Sequence, residues 1–165
     1  MNHTTRIQQR PAPMFLVLCL ALCLTLGLTA CAMPRITMHQ DPLSPAEHLK
    51  LGLAYESGGN LPEALREYQA AMRNEPLAHL YTGNVLFALG RMEEAEKAYV
   101  NAIVSLPLNP EPRNNLAWLL YIQRQRLDQA EALAVEALRL SPPDREAEFL
   151  DTLQRIQEAR SEYAG

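Results

Sequence analysis

Between Ser44 and Pro142, apolar and polar positions follow a helical period, and one arrangement of them is written three times. The first copy runs Leu51-Gly52, Tyr55, Ala64, Tyr68, Ala71 and Pro76. The second runs Thr82-Gly83, Leu86, Ala95, Tyr99, Ala102 and Pro107, and the third Leu116-Ala117, Leu120, Ala130, Ala134, Ala137 and Pro142. Apolar residues three and four apart share a helix face, so each copy predicts a helix pair, at about 45–58 with 61–74, 77–89 with 92–105 and 111–124 with 127–140. Gly52, Gly83 and Ala117 let a second helix come close to the first, with Ala64, Ala95 and Ala130 facing them. Ala71, Ala102 and Ala137 leave room for the next pair. Leu61, Met92 and Leu127 precede the facing alanines by one turn and close each pair.

The punctuation agrees with this division. Ser44-Pro45-Ala46-Glu47 offers an N-cap serine, a proline in the first turn and a capping-box acid. Gly58-Gly59-Asn60 and Gly90 mark two turns, whereas Gln123-Arg124-Gln125-Arg126 stands where the third should have a glycine and adds one residue, which predicts a looser turn or a longer helix. Seven positions separate Pro76 from Gly83 and ten separate Pro107 from Ala117, so the first junction is three residues short. Pro143 to Tyr163 reads as a last helix with Ala147, Leu150, Leu153 and Ile156 turned inward. It is expected to cap the open end of the array.

Small residues at these places, closed by a proline, resemble the tetratricopeptide repeat. The resemblance implies an all-α solenoid of three helix hairpins (about 45–76, 77–107 and 110–142) with a capping helix over 143–165. It also implies a concave groove lined by the first helix of each repeat, at fixed offsets from the small residue. Those offsets carry Leu49, Leu53, Glu56 and Ser57, then Leu80, Asn84, Phe87 and Ala88, then Asn114, Trp118, Tyr121 and Ile122. The groove residues expected to bind a protein or peptide client are Leu49, Leu53, Leu80, Asn84, Phe87, Asn114, Trp118 and Tyr121. Trp118, the chain's one tryptophan, would be the anchor, and Asn84 and Asn114 would grip backbone. Some repeat proteins of this type hold a free carboxylate with a basic clamp, but no lysine or arginine occupies these offsets.

The residues before Ser44 have another character. Arg6 and Arg10 precede an almost wholly apolar stretch from Met14 to Leu28, shorter than the ~20 residues a spanning helix needs. Residues 1–30 therefore read as a signal peptide. The stretch closes on Leu28-Thr29-Ala30-Cys31, which resembles a bacterial lipobox. That resemblance implies cleavage after Ala30, lipidation of Cys31, and a membrane held through this N-terminal lipid by a tether over 31–43. Ala32 in place of an aspartate favours the outer membrane, with the domain on its periplasmic face. Processing would remove the other two cysteines, Cys19 and Cys23, and leave no free thiol.

Past the cleavage site thirteen basic residues face nineteen acidic ones, a net charge of −6, without the basic footprint that nucleic acid requires. No catalytic constellation, phosphate-cradling loop or zinc motif is present, so neither an enzyme, a cofactor, a metal nor a small-molecule substrate is expected. His48 and His79 recur at equivalent places, which fits packing. The plan resembles pilotin-type and tight-adherence (Flp) pilus lipoproteins, and so implies a scaffold for a secretin or another pilus or secretion-system component. An adaptor or regulator of cell-wall hydrolases or of a periplasmic protease is the alternative.

Overall fold

A computed structural model describes residues 42–164, and the expected signal peptide and Cys31 lie outside them. Among the described residues there are seven α-helices and no strand: α1 (Pro45–Ser57), α2 (Leu61–Ala71), α3 (Leu77–Ala88), α4 (Met92–Ser105), α5 (Glu111–Ile122), α6 (Leu127–Leu140) and α7 (Glu146–Ala164). Helices pair as α1 with α2, α3 with α4 and α5 with α6, each pair then meeting the next through α2–α3, α4–α5 and α6–α7. The first helices also approach one another, α3 against α5 and α5 against α7, while the second helices do not come together in this way. The array consequently curves with its first helices on the inner side. No described helix is long and apolar enough to cross a membrane.

Local chemistry explains the boundaries. Ser44 caps α1: its backbone N–H donates to Glu47 Oε2 at 2.7 Å, and the Glu47 N–H donates to Ser44 Oγ at 3.3 Å. Two orphan amides at the helix start are thereby satisfied. The α2 helix stops at Ala71, three residues before the expected end, and α3 begins directly after Pro76. In the next junction Leu108, Asn109 and Pro110 intervene between Pro107 and α5, where Asn109 Oδ1 accepts from the Glu111 N–H at 3.0 Å.

The core is built from the small residues of the repeat. Ala64, Ala71, Ala95, Ala102, Ala117, Ala130, Ala134 and Ala137 are fully buried. The glycines, however, face something other than the alanines expected opposite them. A Cβ on Gly52 would sit 2.5 Å from the Tyr68 ring, and one on Gly83 would sit 2.5 Å from the ring of Tyr99. Repeat three has Ala134 at the tyrosine position and Ala117 at the glycine position. A large ring thus requires glycine across the hairpin, and losing the ring restores space for a methyl group.

The third turn keeps its length in the loop, since α3 and α5 both have twelve residues. Arg124 takes the left-handed conformation at φ 53°, the place of Gly59 and Gly90, whose φ values are 75° and 74°. The Gln125 N–H then closes on Leu120 O at 3.1 Å, as Asn60 does on Tyr55 and Arg91 on Leu86. One further residue, Arg126, is also left-handed at φ 50° and is fixed by two hydrogen bonds to Glu96, at 2.9 and 2.6 Å. The turn is anchored to the preceding repeat, not loosened. Arg124→Gly should relieve a left-handed side chain costing roughly 1–2 kcal/mol. Against this, it gives up an exposed cation–π contact with Tyr121 and orders a more flexible residue. A net gain of about 0.5 kcal/mol is expected, read as a higher urea midpoint with an unchanged slope.

The capping helix is rotated from its expected register. Phe149, Thr152, Leu153, Ile156 and Ala159 are buried, whereas Ala147 is exposed and Leu150 is 39 % exposed. Phe149 starts this stripe one turn earlier than Leu153, and the Arg145 guanidinium lies over its ring. Arg160 pairs with Asp128 and Glu131, holding α7 to α6, and Arg145, just before α7, pairs with Glu111 of α5.

Candidate functional site

Asn84 of α3 organises the inner side of repeats two and three. Its Oδ1 accepts from the Tyr99 hydroxyl at 3.1 Å and from Asn115 Nδ2 at 2.9 Å. With both lone pairs of that oxygen engaged, the Asn84 amide nitrogen and the Asn115 carbonyl oxygen have no partner among the described residues. They form a donor and an acceptor on neighbouring first helices, the two functions a peptide unit needs. Around them lies a cavity of about 170 Å³ lined by Asn84, Phe87, Tyr99, Asn115 and Trp118. Trp118 is half-buried and tilts at 37° against Tyr121, with centroids 5.1 Å apart.

A second cavity, of about 310 Å³, adjoins the first and shares Asn115 and Trp118 with it. Its other walls are Asn114 of α5 and Glu148, Asp151 and Thr152 of α7. The capping helix therefore forms one bank of the groove and leaves it open.

Of the residues expected in the groove, Asn84, Phe87 and Trp118 meet in the first cavity. Tyr121 lies beside Trp118 and packs partly on the core. In repeat one, Leu53 is 39 % exposed and Leu49 leans half-buried on the core. Leu80 does not belong to the surface: it is wholly buried, because the offset that exposes Leu49 falls on the seam between hairpins in the second repeat. Asn114 is also withdrawn, at 8 % exposure, with Oδ1 unpartnered. The amide that reaches Asn84 is its neighbour Asn115, about 100° further round the helix. Tyr99 and Asn115 are thus the cavity-lining residues that offset counting missed. The signal for Tyr99 was the glycine opposite it.

Repeat one carries a different polar group at the equivalent level. His48 Nδ1 lies 2.7 Å from Glu67 Oε2, and Arg66 donates to the other Glu67 oxygen at 3.2 Å. In repeat two Ala98 stands in place of Glu67, so His79 has no such acid, and burial lowers its pKa. Among the described residues no three histidine, cysteine or acidic side chains gather as a metal site.

Burial raises the pKa of both repeat tyrosines far above that of an exposed phenol; for Tyr68 the hydrogen bond to Glu56 at 2.5 Å adds to the effect. A folded pKa raised above the unfolded one means that stability is fully present below the unfolded value, about 10, and is lost as pH rises past it. Spectrophotometric titration should therefore show Tyr68 and Tyr99 ionising only together with loss of helical signal.

This geometry, hairpins stacked through small residues with first helices on the inside, defines a tetratricopeptide-type solenoid. Sequence comparison agrees, since the profile described as tetratricopeptide repeat matches residues 49–111. No curated protein matches the chain significantly. Among solved structures it is similar to PcrH from Pseudomonas aeruginosa, at 20 % identity and a TM-score of 0.65, over 74 % of this chain and 99 % of that one. The type III secretion translocator chaperone SycD of Yersinia enterocolitica gives 19 % identity and a TM-score of 0.63, over 70 % and 93 %. The first tetratricopeptide domain of Spaghetti, bound to the HSP90 peptide SRMEEVD, gives 20 % and 0.65, over 75 % and 98 %. At such identities the likeness concerns the fold.

Proposed function

We propose that this chain is a protein-binding scaffold that takes a client segment along the inner face of repeats two and three, held at the periplasmic face of the outer membrane by a lipid on Cys31 and assisting assembly of a pilus or secretion-system component. The observation that carries the binding reading is the cavity around Trp118, where an aromatic anchor stands beside an unpaired amide donor and an unpaired carbonyl acceptor. Such a combination of apolar lining and few oriented polar groups suits a peptide in extended or helical form. A translocator chaperone and a peptide-bound domain among the similar folds support a client of this kind. An acidic tail such as SRMEEVD would find no lysine or arginine at the groove offsets, so the client differs from that one.

The lipobox-like Leu28-Thr29-Ala30-Cys31 supports the anchor. Cys31→Ser should leave an unprocessed precursor missing from outer-membrane fractions, and normal processing of that variant would remove the lipoprotein from the proposal. Affinity capture of the wild-type chain from crosslinked envelopes tests the pathway. A secretin, pilin or secretion component is the expected partner, whereas a murein hydrolase or protease recovered in its place would favour the adaptor role.

A further inference from the structure

We infer that the cavity between α5 and α7 is a subsite for a cationic side chain, a lysine or arginine of the same client segment whose apolar side chain enters the cavity beside Asn84. The inference rests on the groove proposed above and specifies the chemistry of its occupant. None of the six lining residues, Asn114, Asn115, Trp118, Glu148, Asp151 and Thr152, is basic. Several of their polar atoms are acceptors without a partner among the described residues. Asn114, more than nine-tenths buried, has an Oδ1 with no partner. Asn115 spends its Nδ2 on Asn84, which leaves its oxygen unengaged. The Thr152 hydroxyl donates to Glu148 O at 3.5 Å, which spends its proton within the helix.

The carboxylates point the same way. Arg155 engages only Oδ2 of Asp151, at 2.7 Å, and Oδ1 has no partner among the described residues. Arg145 holds both oxygens of Glu148 and also bonds Glu111. These two arginines lie outside the lining, so they fix the acids in place without filling the cavity. An apolar side chain here would strand several acceptors, and an acidic one would meet two carboxylates. An ammonium or guanidinium donates to them and rests against the Trp118 face, the aromatic surface that attracts cations best.

Trp118 is the chain's single tryptophan, so its fluorescence reports on both cavities without a label. The full-length chain would be titrated at fixed ionic strength with N-acetyl-arginine amide, N-acetyl-norleucine amide and N-acetyl-glutamate amide. A saturable response to the arginine probe is expected, weakened about tenfold in Glu148→Gln/Asp151→Asn, as loss of charge-assisted hydrogen bonds predicts. Asp151→Lys, which places a tethered cation at the cavity, should weaken it at least as much. Both positions are exposed, and circular dichroism checks that each variant keeps its helices. An arginine response equal in wild type and variants, or a glutamate response matching it, overturns the inference. A norleucine response without an arginine response also overturns it while leaving the groove standing. Carboxylate-dependent arginine binding with no norleucine response supports the cationic subsite and removes the apolar one.

Discussion

Gly83→Leu should be the most damaging substitution in the described part of the chain. A helix ordinarily gains about 1 kcal/mol when glycine is replaced by a better helix former. Here that gain is outweighed, because even a Cβ lies 2.5 Å from Cδ1 and Cε1 of Tyr99. The ring cannot step aside: Tyr99 is 2 % exposed, and its hydroxyl is bound to Asn84. Overpacking of this kind costs roughly 1–3 kcal/mol, and a branched four-carbon side chain belongs at the upper end. Since each repeat is stabilised by its neighbours, the loss should spread into α1–α2 and α5–α6. Urea denaturation and amide exchange would show it as a lower midpoint and reduced protection in all three hairpins. Gly83→Ala combined with Tyr99→Ala should cost less than the two single changes added together, because the pair reproduces the Ala117–Ala134 arrangement of repeat three.

Trp118→Ala should produce the largest loss in client capture. The indole borders both cavities, so its removal opens the wall between the apolar and the acidic ends of the groove. Central aromatic anchors typically cost ~2 kcal/mol or more when truncated, about thirtyfold in affinity. Asn84→Ala is expected to cost less in binding, although it also leaves the Tyr99 hydroxyl without its acceptor and so carries a stability penalty of about 1 kcal/mol. Comparing capture by the two variants at equal helicity separates these effects.

The repeats were legible because their packing needs small residues at fixed places, and eight buried alanines with two buried glycines record that need directly in the sequence. Capping was equally plain at Ser44 and Glu47, where both hydrogen bonds are local. The finer site was harder to read. Counting offsets treats every repeat alike, yet the junctions differ by three residues, and one step along α5 separates the withdrawn Asn114 from the bridging Asn115. Leu80 was misplaced for the same reason. The cap was misread because α7 carries two candidate apolar stripes, and only the position of the last hairpin selects Phe149 over Leu150. The Gly–Tyr and Ala–Ala exchange lay in the sequence too, but it acquires meaning only once the hairpin brings those residues into contact. Client identity depends on a second surface, which this chain does not encode.

Site-specific photocrosslinking tests which face binds. A benzoylphenylalanine would be placed at Asn115, between the two cavities, and separately at Val104, which is 76 % exposed on α4. After illumination of intact envelopes, a discrete client adduct is predicted from position 115 and not from position 104. An adduct from 104 alone would contradict the account and move the binding surface to the outer side of the solenoid.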